Sequence, residues 1–112
     1  MDVDGIQKRL REFARERDWE QYHTPKNLSM ALAVEAAELL EVFQWQTTEE
    51  STKVRNSRVE KQAAAEELAD IVYYALRLAD VLEIDLERAL DNKIEKNAMK
   101  YPPHGSDTPT NI

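Results

Sequence analysis

Residues 28–45 read LSMALAVEAAELLEVFQW, and this stretch decides the fold. Apolar side chains cover most of its circumference at helical spacing, which predicts a long and central helix. Two acids interrupt the apolar surface in Glu35-Ala-Ala-Glu38, and their i, i+3 spacing places both on one helix face. Acids in an apolar helix are costly unless something neutralises them. The stretch therefore predicts a helix whose acids have a partner.

A second apolar stretch, Ala63 to Ala79, carries the same feature in Glu67-Leu-Ala-Asp70. Four carboxylates that face each other across two helices suit hard cations such as Mg²⁺, which take oxygen ligands. Spacing alone leaves the ligand set open, because Glu41 and Glu66 lie one helical turn from members of the two pairs. Solvated or ion-paired acids on ordinary helices are the alternative interpretation.

The remaining sequence also predicts helices. Apolar side chains recur at helical spacing in four segments, over residues 3–17, 25–45, 58–82 and 86–100. Each of the four segments has a residue suited to an N-cap at its start: Asp2 or Asp4, Thr24, Ser57 and Asp85. Pro25 fits the first helical position after Thr24, and Ser57 with Glu60 fits a capping box. The polar residues 46–56 predict a loop or a short helical turn.

One domain accounts for the chain. Its 112 residues suffice for a single core, and we predict a domain over residues 1–103 followed by a polar tail over residues 104–112. Pro102 and Pro103 end the last helix, because proline cannot continue it. The expected fold class is all-α, an antiparallel bundle of the four-helix type. Charged, alanine-rich helices in so small a chain favour an oligomer.

Composition excludes several classes of function. The formal net charge of −7 argues against binding to a nucleic acid polymer. The sequence has no cysteine, so thiolate metal sites and cysteine nucleophiles are excluded. A di-iron bundle needs Glu-x-x-His motifs, whereas His23 and His104 both lie outside the predicted helices. We find no signal peptide and no apolar stretch of about 20 residues, so no membrane partner is expected and the cytoplasm is the expected location.

Two other groups of residues are candidates for ligand binding. Lys93, Asn97 and Tyr101 follow i, i+4, i+8 along one helix face, where donors could hold phosphate oxygens, although a solvated face is the simpler interpretation. Trp19 and His23 lie in a predicted loop, and Trp45 lies at the end of the second helix. Aromatic faces stack on nucleobases, although tryptophan in a small protein usually packs in the core.

Taken together, these residues resemble the MazG-like superfamily of all-α nucleotide pyrophosphohydrolases. The signature of that superfamily is ExxE, a variable spacer and ExxD, which the two acid pairs match. The similarity is greatest to the dCTP pyrophosphatase branch and its small bacterial relatives, and it covers roughly residues 6–103. The stretches that carry it are RERDWEQYH (15–23), PKNL (25–28), ELLEVFQW (38–45), ELADI (67–71) and KIEKN (93–97).

The resemblance implies a Mg²⁺-dependent enzyme, with Mn²⁺ as a substitute, that hydrolyses a dNTP to dNMP and pyrophosphate. The implied substrate is dCTP or a modified dCTP, and the implied role is house-cleaning of the nucleotide pool. The enzyme would be a homodimer or homotetramer with its site near a subunit interface. The residues that the resemblance assigns to this site are Glu35, Glu38, Glu67 and Asp70 for the metal; Trp19, His23 and Trp45 for the base; and Lys93, Asn97 and Tyr101 for the phosphates or sugar.

The chemistry of these residue types leaves three points open. A carboxylate that is not fully used as a ligand could take the proton of the attacking water, and Glu38 is the candidate. The same fold could act on another nucleotide, such as dATP or dUTP. A helical module that senses nucleotides or binds proteins without turnover is the remaining alternative.

Overall fold

The structure, a computed structural model, describes residues 1–105. Those residues form five α-helices joined by short turns and contain no strand, which confirms the predicted all-α class. The helices are α1 (Val3–Glu16), α2 (Pro25–Phe43), α3 (Thr48–Thr52), α4 (Arg58–Val81) and α5 (Leu86–Lys100). Short 3-10 turns lie at Glu20–Tyr22 and Val54–Asn56. Within this part of the chain, no helix is both long and apolar enough to cross a membrane. Most of the predicted tail, residues 106–112, lies outside the described residues.

The long helices α2 and α4 pack side by side and run in opposite directions. Just after the end of α2, Gln46 Nε2 donates to Glu60 Oε2 near the start of α4 at 3.1 Å. Just before the start of α2, His23 Nδ1 accepts from Arg77 Nε near the end of α4 at 3.0 Å. Both ends of the helix pair are therefore fixed by side-chain hydrogen bonds, and residues in the middle of α2 face residues in the middle of α4.

Helix α1 lies along the second half of α4 and runs in the same direction. Gln7 Nε2 donates to the carbonyl oxygen of Leu76 at 3.0 Å, and Arg11 pairs with Asp80 at 2.8 Å. In each pair the two partners are 69 residues apart in sequence, so the two helices run parallel to each other. Gln7 is buried, and its hydrogen bond satisfies an amide that would otherwise be costly to bury.

The predicted N-caps are confirmed. Each cap accepts a hydrogen bond from the backbone N–H three residues later, and the caps are Asp2, Thr24, Ser57 and Asp85. The capping box predicted at Ser57 is only half formed, because the Glu60 carboxylate accepts from Gln46. A complete box forms instead between Thr47 and Glu50. It starts α3 inside the segment predicted as a loop or short turn.

A single chain covers little of its apolar surface. The buried apolar residues are Ala14, Leu28, Val54, Leu76 and Ala79. Val34 and Leu40 of α2 remain 54% and 63% exposed, although the sequence predicts a central helix. The radius of gyration is 17.4 Å, compared with about 13 Å for a compact chain of this length. The isolated chain is therefore extended, and much of α2 faces away from it.

Helices α1 and α4 both end with a residue in the left-handed conformation. Asp18 and Glu83 each have φ of 56°. After α4, the N–H of Ile84 bonds to the carbonyl oxygen of Ala79 at 2.8 Å, and the N–H of Glu83 bonds to that of Asp80 at 3.1 Å. This is the Schellman arrangement, in which glycine is the residue that adopts positive φ at least cost.

We expect Glu83→Gly to stabilise the protein by about 0.5–1 kcal/mol, because glycine removes the strain of a side chain at positive φ. Urea unfolding followed by circular dichroism measures the change. The matched control is Ala63→Gly on the exposed face of α4, where the same new residue should cost about 1 kcal/mol. A loss of stability in Glu83→Gly would contradict the prediction.

Candidate functional site

Three of the four predicted acids meet where α2 faces α4. Carboxylate oxygens of Glu35, Glu38 and Glu67 all lie within 4.8 Å of one another. The i, i+3 spacing on α2 places the first two on the face toward α4, and the antiparallel pairing brings Glu67 opposite them. We call these three side chains the acid cluster.

The acid cluster has the chemistry of a cation site. Glu35 Oε2 and Glu67 Oε2 are both buried, and neither receives a hydrogen bond from any donor in residues 1–105. Buried carboxylate oxygens without partners are costly, and like charges at this distance add repulsion. A divalent cation with oxygen ligands would remove both costs. The residues present therefore fit the metal that the sequence predicts.

Two acids of the cluster, Glu35 and Glu67, have raised pKa values. The neighbouring Glu38 carboxylate, which favours the protonated form of Glu35, is the largest cause that raises the pKa of Glu35 to about 7, and burial and the charge of Asp70 act in the same direction. Burial is the first cause of the raised pKa of Glu67, followed by Glu38. Without a metal, the cluster therefore retains a proton near neutral pH, and a bound cation would displace it.

Asp70, the fourth predicted ligand, lies beside the acid cluster but does not join it. Its side chain is exposed, and its charge raises the pKa of both Glu35 and Glu67. Glu41 and Glu66, which spacing alone had left as alternatives, are not part of the cluster either. Asp70 stays a predicted ligand.

A cavity lined by aromatic side chains lies next to the acid cluster. Its volume is about 320 Å³, and its lining residues are Trp19, Tyr22, His23, Tyr73 and Tyr74. The first three come from the connection between α1 and α2, and the two tyrosines come from α4. We call this space the aromatic cavity. Its volume falls at the lower end of the range of about 300–1,000 Å³ for small-molecule sites.

Helix α4 connects the aromatic cavity to the acid cluster. Burial is the main cause that raises the pKa of Tyr74, and the negative charge of Glu35 is the next. Tyr73 and Tyr74 follow Asp70 by three and four residues, so they continue the helix face that carries the second acid pair. Sequence reasoning missed both tyrosines and Arg77. Extending the spacing from Asp70 by i+3, i+4 and i+7 would have found all three.

Trp45 does not line the aromatic cavity. It follows the end of α2 and is 89% exposed, whereas Trp19 and His23 precede the start of that helix. The 19 residues of α2 span about 28 Å. The structure therefore brings two of the three predicted base-binding residues together and places the third at the opposite end of the helix.

The predicted phosphate-binding residues lie on or just after α5. Lys93 and Asn97 are exposed, and Tyr101 is partly buried at the C-cap. Within the described part of the chain, no hydrogen bond or ion pair joins them to the acid cluster. Their role stays a prediction.

The fold and the site together define a class: all-α proteins in which two antiparallel helices present a carboxylate cluster beside an aromatic cavity. Residues 30–108 match the MazG-like family, and the chain belongs to that family. It is 42% identical to dCTP pyrophosphatase 1 of Homo sapiens and 43% identical to that of Bos taurus, over 102 residues in each case. These matches cover 91% of this chain and 60% of each relative, so the chain spans about 60% of the length of these curated relatives.

A solved structure has the same fold. A pyrophosphatase from Archaeoglobus fulgidus superposes with a TM-score of 0.83 at 43% sequence identity. The match covers 92% of this chain and 94% of that protein. The resemblance that the sequence motifs predicted is therefore confirmed at the level of family and fold.

Proposed function

We propose that this chain is a nucleoside triphosphate pyrophosphohydrolase, which converts a dNTP and water to a dNMP and pyrophosphate. The observation that carries the proposal is the placement of the acid cluster beside the aromatic cavity along one face of α4. The names of its relatives in the MazG-like family support the same reaction. The favoured substrate is dCTP or a modified dCTP, and the proposed role is house-cleaning of the cytoplasmic nucleotide pool.

Mg²⁺ is the proposed metal, with Mn²⁺ as a substitute, and the acid cluster with Asp70 would hold it. When bound, such a cation neutralises charge on phosphoryl oxygens and makes water more acidic. Glu38 is the proposed proton acceptor, because the buried oxygens that lack hydrogen-bond partners belong to Glu35 and Glu67. A bound cation would therefore stabilise the Glu38 carboxylate least among the three acids of the cluster, which leaves Glu38 free to accept a proton.

The aromatic cavity would take the base. Trp19 supplies a ring face for stacking, and its ring centre lies 6.3 Å from that of His23. Lys93, Asn97 and Tyr101 are the proposed contacts to phosphates or sugar, because ammonium, amide and hydroxyl groups all donate to phosphate oxygens.

We also propose a homodimer or homotetramer in which Trp45 of one chain completes the site of another. Trp45 is a large apolar side chain that a single chain leaves almost entirely in solvent. The exposed residues Val34 and Leu40 lie on the same helix. Burying such a surface against a second copy stabilises both chains, at roughly 25 cal/mol per Å² of apolar area.

The direct test is pyrophosphate release from a panel of dNTPs, NTPs and 5-modified dCTPs, with Mg²⁺ and with EDTA. We expect release that needs the cation and is fastest with dCTP or its analogues. Fastest release from another nucleotide would keep the reaction and refute the base preference. Nucleotide binding without release at any cation concentration would refute the enzyme and favour the non-catalytic module.

A further inference from the structure

Arg77 is a buried charge that the proposed reaction does not use. It is 5% exposed, on the last part of α4. Its Nε donates to His23 Nδ1 at 3.0 Å, and its NH1 group donates to Asp80 Oδ2 at 3.0 Å. A buried guanidinium is costly, and these two partners are the ones that offset its cost.

Asp80 is itself held in place from α1. Arg11 donates to both of its carboxylate oxygens, through Nε at 2.9 Å and the NH2 group at 2.8 Å. This bidentate contact fixes the plane of the Asp80 carboxylate. The orientation of the oxygen that accepts from Arg77 is fixed with it. Three elements, α1, α4 and the connection that carries His23, therefore meet at one arginine.

The contact with Arg77 fixes which nitrogen of His23 carries the ring proton. Because Arg77 Nε is a donor, Nδ1 must be the unprotonated acceptor, and the proton of the neutral ring lies on Nε2. Within residues 1–105, His23 Nε2 has no hydrogen-bond partner, and His23 lines the aromatic cavity. Nε2–H is thus available to donate to a ligand.

The surroundings of His23 also keep its ring neutral. Burial is the first cause that lowers its pKa, and the positive charge of Arg77 is the second. Glu20 acts in the opposite direction and is the smallest of the three causes. A protonated ring would lose the acceptor at Nδ1 and place two positive charges in contact.

We propose that Arg77 is a positioning residue for base recognition, because it holds His23 in the tautomer whose Nε2–H donates to an acceptor atom of the base. Every nucleobase carries a ring nitrogen or carbonyl oxygen that accepts such a bond. The identity of the ligand rests on the proposed function, whereas the control of the tautomer rests on the geometry alone.

Nitrogen NMR of the full chain tests the control of the tautomer. The sequence has two histidines, so His104→Gln assigns the signals. We expect the Nε2–H tautomer for His23 in the unmodified protein and a mixture of tautomers in Arg77→Met, with a higher titration midpoint for His23 once the charge of Arg77 is removed. Arg9→Met, at an exposed position of α1, is the matched control and should change neither. An unchanged tautomer in Arg77→Met would overturn the proposal.

Arg77→Lys separates positioning from a merely structural role and serves if Arg77→Met does not fold. Lysine keeps the positive charge beside Asp80 but lacks the planar guanidinium group that donates to His23 and Asp80 at once. We expect it to restore the thermal midpoint but not the pure tautomer. A pure tautomer in Arg77→Lys would overturn the proposal.

Ligand binding tests the second half of the proposal. We expect Arg77→Met and Arg77→Lys to raise the KM for dCTP about three- to tenfold, the value of one hydrogen bond, with kcat changed less than about twofold. The Kd of dCMP, measured by tryptophan fluorescence, should rise by the same factor. An altered tautomer with unchanged KM and Kd would overturn the role in recognition. If the unmodified protein hydrolyses no nucleotide, the proposed function fails, while the tautomer and dCMP measurements still decide the role of Arg77.

Discussion

Replacing one acid of the cluster should abolish pyrophosphate release and, without metal, stabilise the protein. In Glu35→Gln the fold survives, because glutamine has the size of glutamate and carries no charge. Activity should fall at least about a hundredfold. Removing one group that stabilises charge in the transition state typically has an effect of this size. The opposite sign of the two effects distinguishes a metal ligand from a residue that only maintains the fold.

The stability effect has a defined dependence on pH. The pKa of Glu35 is raised from 4.5 to about 7 in the folded chain, chiefly by the neighbouring Glu38 carboxylate. Between these values the folded state binds more protons than the unfolded state, so its stability falls as pH rises. Above pH 7 the stability that the protonated Glu35 contributes is fully lost. Glu35→Gln does not titrate there, so its advantage over the unmodified protein should be small below pH 4.5 and largest above pH 7.

Thermal unfolding with EDTA and with Mg²⁺, at pH 5 and pH 8, measures the effect on stability, and pyrophosphate release measures the effect on activity. In EDTA at pH 8 the variant should unfold at a higher temperature than the unmodified protein. Added Mg²⁺ should stabilise the unmodified protein and have less effect on the variant, because a ligand stabilises only the state that binds it. Glu41→Gln is the matched control, since Glu41 is an exposed acid of the same helix. Full activity in Glu35→Gln, or equal losses in both variants, would contradict a metal role.

The sequence predicted the features that depend on near neighbours in the chain. Thr24 and Asp85 cap their helices because a cap needs only the backbone N–H three residues later. The pairing of Glu35 with Glu38 follows in the same way from helical spacing. Family motifs then identified the family and fold, because they combine several such local patterns.

Features that depend on the register between helices could not be predicted. Spacing treats Glu67 and Asp70 alike, but the packing of α4 against α2 places only Glu67 in the acid cluster. The capping box at Ser57 is incomplete for the same reason, since Gln46 from another element donates to the Glu60 carboxylate. The apolar pattern of α2 predicted a central helix, but among the described residues only part of its apolar surface is covered, and Val34 and Leu40 stay exposed.

The second large effect concerns Trp45, whose distance from the aromatic cavity leads us to propose that it acts in a neighbouring chain. Trp45→Ala should lower kcat/KM for dCTP by about 5- to 150-fold, because stacking on one base contributes about 1–3 kcal/mol. Glu35→Gln should be inactive. If each site combines the acids of one chain with Trp45 of its partner, these two defects fall in the same site when the two variants form a mixed dimer.

Subunit complementation measures this arrangement. The Glu35→Gln and Trp45→Ala chains are co-expressed with different affinity tags, and the mixed dimer is isolated by two successive purifications. One of its two sites carries both defects and the other carries neither, so its activity should be about half that of the unmodified dimer. Recovery from two defective chains cannot arise if each chain holds a complete site, because the mixed dimer would then contain one inactive site and one weakened site.

The matched control combines Glu35→Gln with Glu67→Gln. Oxygens of these two acids lie within 4.8 Å in one chain, so each site of this mixed dimer carries one defective acid and no activity should return. Rescue of the Trp45 pair without rescue of the acid pair would assign the acids to one chain and the tryptophan to its partner. Activity of the Trp45 mixed dimer no higher than half that of Trp45→Ala would instead show that Trp45 acts within its own chain or outside the site.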